Sequence, residues 1–315
     1  MIPPNARIDL EAAAALAILE DVPLALHTSF RIGGPAALFA EVTDVPKLSR
    51  LLTAVRSMGI DTLVLGGGTN VLASDEGFPG LVMRLAIGGL AIDAASGRVR
   101  VGAGASSADL VERTIAASLK GLEFAAGLPG TVGGAVAGNA GCYGGSFGEH
   151  VVSATIVEPD GSVVELADAE AFGFRYRGSG LGDRGAVLAE AVLALEPGDR
   201  TELEEIAARH VATREERHPP RILPCAGSYF KNLPPAEPGG QRIAAGALLD
   251  AVGVKELRVG DAGVFERHAN IVVNRGRATA RDVLTLTTEM ARRVKERFGV
   301  ELSPEVRFVG RRPSI

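Results

Sequence analysis

The sequence predicts an α+β protein built from more than one domain, and three observations carry that reading. The 315 residues are 46% hydrophobic and 23% charged, the balance of a globular chain long enough for two or three domains and a sizeable core. Short strand-like runs and helical apolar periods succeed one another along most of the chain. Between them lies Gly121–Gly148, GLEFAAGLPGTVGGAVAGNAGCYGGSFG, whose ten glycines follow neither the helical nor the strand period.

The opening stretch MIPPNARIDLEAAAALAIL has one Arg, acidic residues and no cleavage site after an apolar core. It reads as a short helix of the mature chain rather than a signal peptide. Ala37–Val42 is a strand. Asp44 then caps a helix with apolar Leu48, Leu51, Leu52, Val55 and Met58, and Gly59 ends it. Thr62–Leu65 is the next strand, so this segment is a β-α-β unit. The loop Gly66–Asn70 (GGGTN) stands at its end, where such units bind ligands.

After Leu81–Leu85, the alternating run Arg98–Val101 leads through Gly102-Ala103-Gly104 to a helix opened by Ser106 or Ser107, with Val111, Ile115 and Leu119 along it. This passage imitates the dinucleotide fingerprint GxGxxG. Ser107 replaces the third glycine, and a lone partial match does not make a Rossmann site. Val151–Val157 and Val163–Leu166, joined through Pro159-Asp160-Gly161, form a hairpin. Gly185–Leu195 is a further strand, and Glu196-Pro197-Gly198-Asp199 marks a domain boundary.

Thr201 and Glu204 form a capping box for a helix through Leu203, Ile206 and Val211 that stops at Pro219-Pro220. Pro234–Gly240 (PPAEPGG) is a surface loop, Gln241–Ala251 a short helix and Asn270–Val273 a strand. Thr279 opens the last helix, which turns Val283, Leu286, Met290, Val294 and Phe298 to the core and ends at Gly299.

Composition excludes several functions. A net charge of −5 leaves no general basic field for nucleic acid or an acidic membrane surface. No apolar run reaches the roughly eighteen residues of a membrane span. The two cysteines, Cys142 and Cys225, are too few for a disulfide framework or a zinc site and suit a reducing cytosol. His27, His150, His210, His218 and His268 show no metal-ligand spacing, so no metal is expected.

Glycine loses more entropy on folding than any other residue, so many glycines gather where backbone must approach something closely. Two such loops in one chain point to a large phosphate-bearing cofactor. The plain alternative is a pair of tight structural turns. Polar residues cluster at Phe174–Ser179 (FRYRGS), Gly227–Asn232 (GSYFKN) and Ser303–Arg307 (SPEVR). There is no GxSxG elbow and no Ser-His-Asp order, so Ser228 lacks a base and is better suited to giving a proton than to attacking. By residue type alone, each cluster is more often structural than catalytic.

Seven motifs in order over residues 22–310 add to this: Thr28–Gly34 (TSFRIGG), Val64–Leu72 (VLGGGTNVL), Gly127–Gly141 (GLPGTVGGAVAGNAG), Tyr176-Arg177, Gly227–Asn232, Arg267–Asn274 (RHANIVVN) and Phe298–Arg307 (FGVELSPEVR). With them the chain resembles the UDP-N-acetylenolpyruvoylglucosamine reductases, the flavoenzymes that make UDP-N-acetylmuramate for bacterial peptidoglycan. The resemblance implies an N-terminal segment over residues 1–30 and a FAD-binding domain of the vanillyl-alcohol-oxidase (PCMH) type over 31–198. That domain would consist of two α+β subdomains, followed by a C-terminal α+β substrate domain over 199–315. It also implies non-covalent FAD, NADPH as co-substrate, and reduction of UDP-N-acetylglucosamine enolpyruvate.

The flavin pyrophosphate would lie against Gly66, Gly67, Gly68, Thr69 and Asn70. Gly127, Pro129, Gly130, Thr131, Gly133, Gly134, Ala135 and Gly138 would line its other parts. Arg177 and Glu305 take the positions that stabilise an enolate, and Ser228 that of the proton donor. Glu305 would act as a donor only when protonated, which needs a desolvated site. Tyr176, Arg217, Lys231 and Asn232 would contact the substrate, with Arg217 and Lys231 on its two phosphates. The alternative for Arg217 is a solvated charge at a helix end.

The short Arg177–Gly198 connection and REERHPP before the serine resemble the compact branch of the family. His27 stands where the family usually has Asn, and Leu233 interrupts a common FKNP. A flavin-dependent sugar or alcohol oxidase of the same fold is the rival. Many of those attach flavin through a His, and here the nearest to the glycine loops is His150. A non-catalytic nucleotide-binding regulator would have no use for Arg177, Ser228 and Glu305 together.

Overall fold

The computed structural model describes residues 2–237 and 239–312. Its contacts divide the chain into two compact units. The first comprises Met1–Val22, Ala36–Gly67 and Pro79–Arg214, and the second Pro23–Pro35, Gly68–Phe78 and Glu215–Ile315. Gly66 and Gly67 thus belong to the first unit, and Gly68, Thr69 and Asn70 to the second.

Among the described residues the first unit holds two large sheets, besides two short two-stranded ones. One runs in the order Ile18–Pro23, Pro35–Val42, Phe78–Leu85, Thr62–Leu65. Thr62–Leu65 lies parallel to Phe78–Leu85, which stands between the two strands of the expected β-α-β unit. The crossing helix is Val45–Met58. The Asp44 carboxylate accepts from the Lys47 N–H at 2.9 Å, and Gly59 closes the helix at φ 63°. Its buried stripe of Leu48, Leu51, Leu52 and Val55 is the one the apolar spacing predicts.

The other sheet is antiparallel: Val163–Leu166, Val151–Val157, Val187–Ala194, Arg98–Gly102, Leu90–Asp93. Helix Ser107–Ala116 follows Arg98–Gly102 with Ser106 as its cap. A Cβ on Gly102 would lie 2.2 Å from Gly88 O, and one on Gly104 2.6 Å from Ala86 C. The glycines of GAGASS therefore let two chain segments touch, a use that needs no nucleotide.

The second unit is an antiparallel sheet, Cys225–Ser228, His268–Asn274, Ala262–Phe265, Arg258–Val259, with helix Ala280–Phe298 packed on it. Val283, Leu286, Met290 and Val294 bury against Val264 and Val272. Thr279 and Asp282 cap the helix reciprocally. Arg307–Val309 pairs in parallel with Val71–Ala73.

Three local expectations are corrected. The helix ending at Arg217 starts at Arg200, because the Asp199 carboxylate already accepts from the Glu202 N–H at 3.0 Å, which leaves Thr201 inside the first turn. The helix expected from Gln241 starts at Ala245, since Ile243 is drawn into a bridge with Leu233. Phe298 is 39% exposed at the last turn, where the Arg297 guanidinium covers its ring at 5.5 Å. Of the loop Pro234–Gly240, Pro238 lies outside the described residues, and the others are exposed except half-buried Pro235. Among the described residues no helix is long and apolar enough to cross a membrane.

Candidate active site

In the first unit the two glycine loops lie directly on one another. A Cβ on Gly66 would come within 2.4 Å of Thr131 Oγ1, and one on Gly67 within 2.8 Å of Gly130 Cα. Only bare backbone fits at that spacing. Thr131 Oγ1 also caps the six-residue helix Val132–Ala137, accepting from Gly134 N–H at 3.4 Å. Gly133 is buried against Ala103, to whose carbonyl its N–H donates at 2.8 Å. Gly67, Gly127, Pro129 and Gly134 remain exposed, while Gly130, Thr131, Ala135 and Gly138 are half-buried. The exposed glycines offer bare main chain, which fits a phosphate-bearing flavin nucleotide. Gly67→Ala forces the loops apart; we expect FAD affinity to fall about tenfold or more, read by flavin fluorescence titration of the apoprotein.

Tyr176 and Arg177 occupy a tight turn of the same unit. Arg175 and Gly178 exchange backbone hydrogen bonds of 3.0 and 3.1 Å, and Arg177 sits at φ 56°. A non-glycine residue held there carries strain, so its surroundings must fix it. Three side-chain bonds do so. Ser179 Oγ donates to Ala137 O at 2.8 Å, Asn139 Nδ2 to Arg175 O at 3.1 Å, and Arg177 Nη1 to Gly141 O at 2.7 Å. The turn is thereby tied to the far end of the glycine stretch. Arg177 also covers the Tyr176 ring at 5.3 Å.

Sequence reasoning predicts the helix that flanks these loops but not its contact with them. It places Arg200–Arg217 in the C-terminal domain, yet Val211 and Arg214 lie against Gly127, where a Cβ would stand 3.2 Å from Arg214 Cδ. His210 Nδ1 donates to Glu123 O at 3.0 Å, and Tyr143 stacks on His210 at 4.1 Å. A weak apolar period, with only Leu203 buried, gave no signal for this contact. Cys142 lies nearby; burial pushes its thiol up, and its Sγ donates to Phe124 O at 2.8 Å, as suits a packed, unreactive group. His150 is also packed, stacked on Phe124 at 6.3 Å.

In the second unit Gly68 takes φ 61° and abuts His27, whose carbonyl would be 2.0 Å from a Cβ. It is the main chain of His27 that meets Gly68, so the departure from Asn leaves that contact intact. Asn70 donates through Nδ2 to Glu305 O at 3.1 Å. Ser228 ends the strand Cys225–Ser228, and the chain runs on beside Ser303–Glu305. Glu305 N–H donates to Tyr229 O at 2.7 Å and Lys231 N–H to Ser303 O at 2.9 Å. Tyr229 and Phe230 are buried, which leaves half-buried Ser228 and Lys231 at the two ends of the segment and half-buried Glu305 beside it.

Asn232 Oδ1 accepts from Ala245 N–H at 3.2 Å, so it caps the helix Ala245–Ala251. Leu233 N–H donates to Ile243 O at 3.0 Å, a bond that the proline of FKNP could not make. Arg217 is exposed, and neither it nor Lys231 forms an ion pair among the described residues. Burial pushes the His268 imidazole down, and the charges of Arg217 and Lys255 add to that.

Taken with the fold, the glycine surface defines the class: an FAD-binding flavoprotein. The sequence profile described as FAD binding domain matches residues 36–167, and that of the UDP-N-acetylenolpyruvoylglucosamine reductase C-terminal domain matches 218–309. The chain is 44% identical to UDP-N-acetylenolpyruvoylglucosamine reductase 2 of Symbiobacterium thermophilum over 92% of each chain. It is 41% identical to the reductase of Solibacter usitatus over 94% of this chain and 97% of that one. It is also similar to the crystal structure of the Thermus caldophilus reductase, with a TM-score of 0.75 and 34% identity over 93% of this chain and 98% of that one. The chain belongs to the UDP-N-acetylenolpyruvoylglucosamine reductase family.

Proposed function

We infer that this protein is an NADPH-dependent oxidoreductase that reduces UDP-N-acetylglucosamine enolpyruvate to UDP-N-acetylmuramate for peptidoglycan synthesis, and that it works in the cytoplasm. The observation that supports the reading is the backbone bond from Glu305 N–H to the carbonyl of Tyr229, the residue after Ser228, in the second unit. FAD, held non-covalently by the glycine loops at Gly66–Asn70 and Gly127–Gly138 and reduced by NADPH, would supply hydride for the terminal carbon of the enolpyruvyl group.

The chain supplies the rest. Negative charge develops on the neighbouring carbon and spreads into the substrate carboxylate, where Arg177 and Glu305 stabilise it. Ser228 Oγ gives its proton to that carbon. A hydroxyl suits this task, because an enolate carbon is basic enough to take a proton from a weak acid. Residues 31–198 carry the flavin contacts, from Gly66, Gly67, Gly68, Thr69 and Asn70 to Gly138, and residues 199–315 the nucleotide contacts.

Arg217 and Lys231 hold the two phosphates, with Tyr176 and Asn232 as further contacts; neither cation has a carboxylate partner among the described residues, which suits an anionic ligand. Arg217→Ala is expected to raise the KM for the sugar nucleotide about tenfold with little change in kcat, and an unchanged KM would remove it from the site.

The reading is tested by following NADPH absorbance with purified protein. Consumption should start on addition of UDP-N-acetylglucosamine enolpyruvate and yield the lactyl ether. Consumption indifferent to that compound, or flavin reduction by a simple sugar or alcohol, would favour the oxidase instead.

A further inference from the structure

We propose that Asn270 is a positioning residue for proton donation, its side-chain amide holding the backbone at Phe230 and so setting where the Ser228 hydroxyl stands. The proposal rests on reading Ser228 as the proton donor.

The strand carrying Ser228 is irregular where it matters. Cys225 pairs with Val273 and Ser228 with Ile271, so Ala226 and Gly227 together oppose one residue, Val272. This is a β-bulge, and such features re-aim the side chains that follow them. Gly227 takes φ 73°, and nothing lies within 4 Å of an added Cβ, so the bulge needs the left-handed conformation rather than space. A bulge also interrupts the ladder, and the chain beyond it needs other partners.

Asn270 provides them. Its carbonyl accepts from Tyr229 N–H at 2.7 Å, its Oδ1 from Phe230 N–H at 2.9 Å, and its Nδ2 donates to Phe230 O at 2.8 Å. One primary amide thus does what the next residue of a neighbouring strand would do. Asn270 is 2% exposed and Phe230 3%, so truncation would strand a buried N–H and a buried C=O. Asn270 is itself held, since its own N–H donates to His268 Nδ1 at 3.3 Å. The opposite edge of the segment bonds the Ser303–Glu305 stretch, through Glu305 N–H to Tyr229 O and Lys231 N–H to Ser303 O, so a shift at Phe230 moves the groups on both sides of it.

The test compares the two half-reactions of the holoenzyme in Asn270→Ala and Asn270→Asp. Asn270→Ala should reduce flavin with NADPH at the wild-type rate and slow its reoxidation by substrate about 10²-fold, the size expected of a displacement near 1 Å. Asn270→Asp keeps the size and the acceptor for Phe230 N–H but loses the donor to Phe230 O, and should slow reoxidation about tenfold. Combined with Ser228→Ala, Asn270→Ala should add no further loss. Equal losses in both half-reactions, failure of both variants to take up FAD, unaltered reoxidation in both, or additive losses in the double variant would each overturn the proposal. Normal reoxidation in Ser228→Ala alone would instead sink the reading of Ser228, and is distinguished by leaving the single serine variant fast.

Discussion

Replacing Ser228 by alanine should leave NADPH reduction of the flavin unchanged and slow reoxidation by substrate by about 10²–10⁴-fold, the range for a positioned acid. The asymmetry is the point. Ser228 lies in the second unit, at the end of a strand whose following residues, Tyr229 and Phe230, are buried and hydrogen-bonded on both edges. Removing one oxygen from a half-buried serine leaves those bonds and the core behind them in place. FAD content and thermal stability should therefore stay near wild type, and the loss should appear only when substrate takes the electrons. Stopped-flow flavin absorbance separates the two steps. Equal slowing of both would mean that Ser228 supports structure and not proton transfer.

The second large effect is expected at Arg177. Arg177→Ala should cost about 10²–10³ in kcat, as loss of a preorganised charge at a developing anion does elsewhere. Arg177→Lys should recover only part of this, because a lysine cannot donate to Gly141 O and to a carboxylate through one planar fork. The residue pays a conformational cost at φ 56°, offset by the bonds from Ser179 and Asn139 that pin its turn. Steady-state kinetics with circular dichroism checks both points. A fully active Arg177→Ala enzyme would remove it from the mechanism.

Much of this was legible in the sequence because the signals are local. Asp44 and Gly59 bracket a helix, Thr279 and Asp282 form a reciprocal cap, and a 3.6-residue period marks the buried faces of Val45–Met58 and Ala280–Phe298. The glycine loops were legible too, since a missing Cβ is a statement about backbone distance, and Gly66 and Gly67 do meet Thr131 and Gly130.

What escaped depends on partners far along the chain. Asn270 bonds a residue 40 positions away, and nothing in RHANIVVN distinguishes an amide that bonds backbone from one that faces solvent. Arg214 beside Gly127 was hidden by a helix with little apolar period. The Asp199 cap is masked in the sequence because Thr201 and Glu204 offer the same chemistry two residues later.

The visible spectrum of the purified protein tests the central claim most directly. The account predicts flavin absorption bands, with the chromophore released as free FAD when the protein is denatured by heat or acid. A colourless protein that gains no such bands on adding FAD would contradict it.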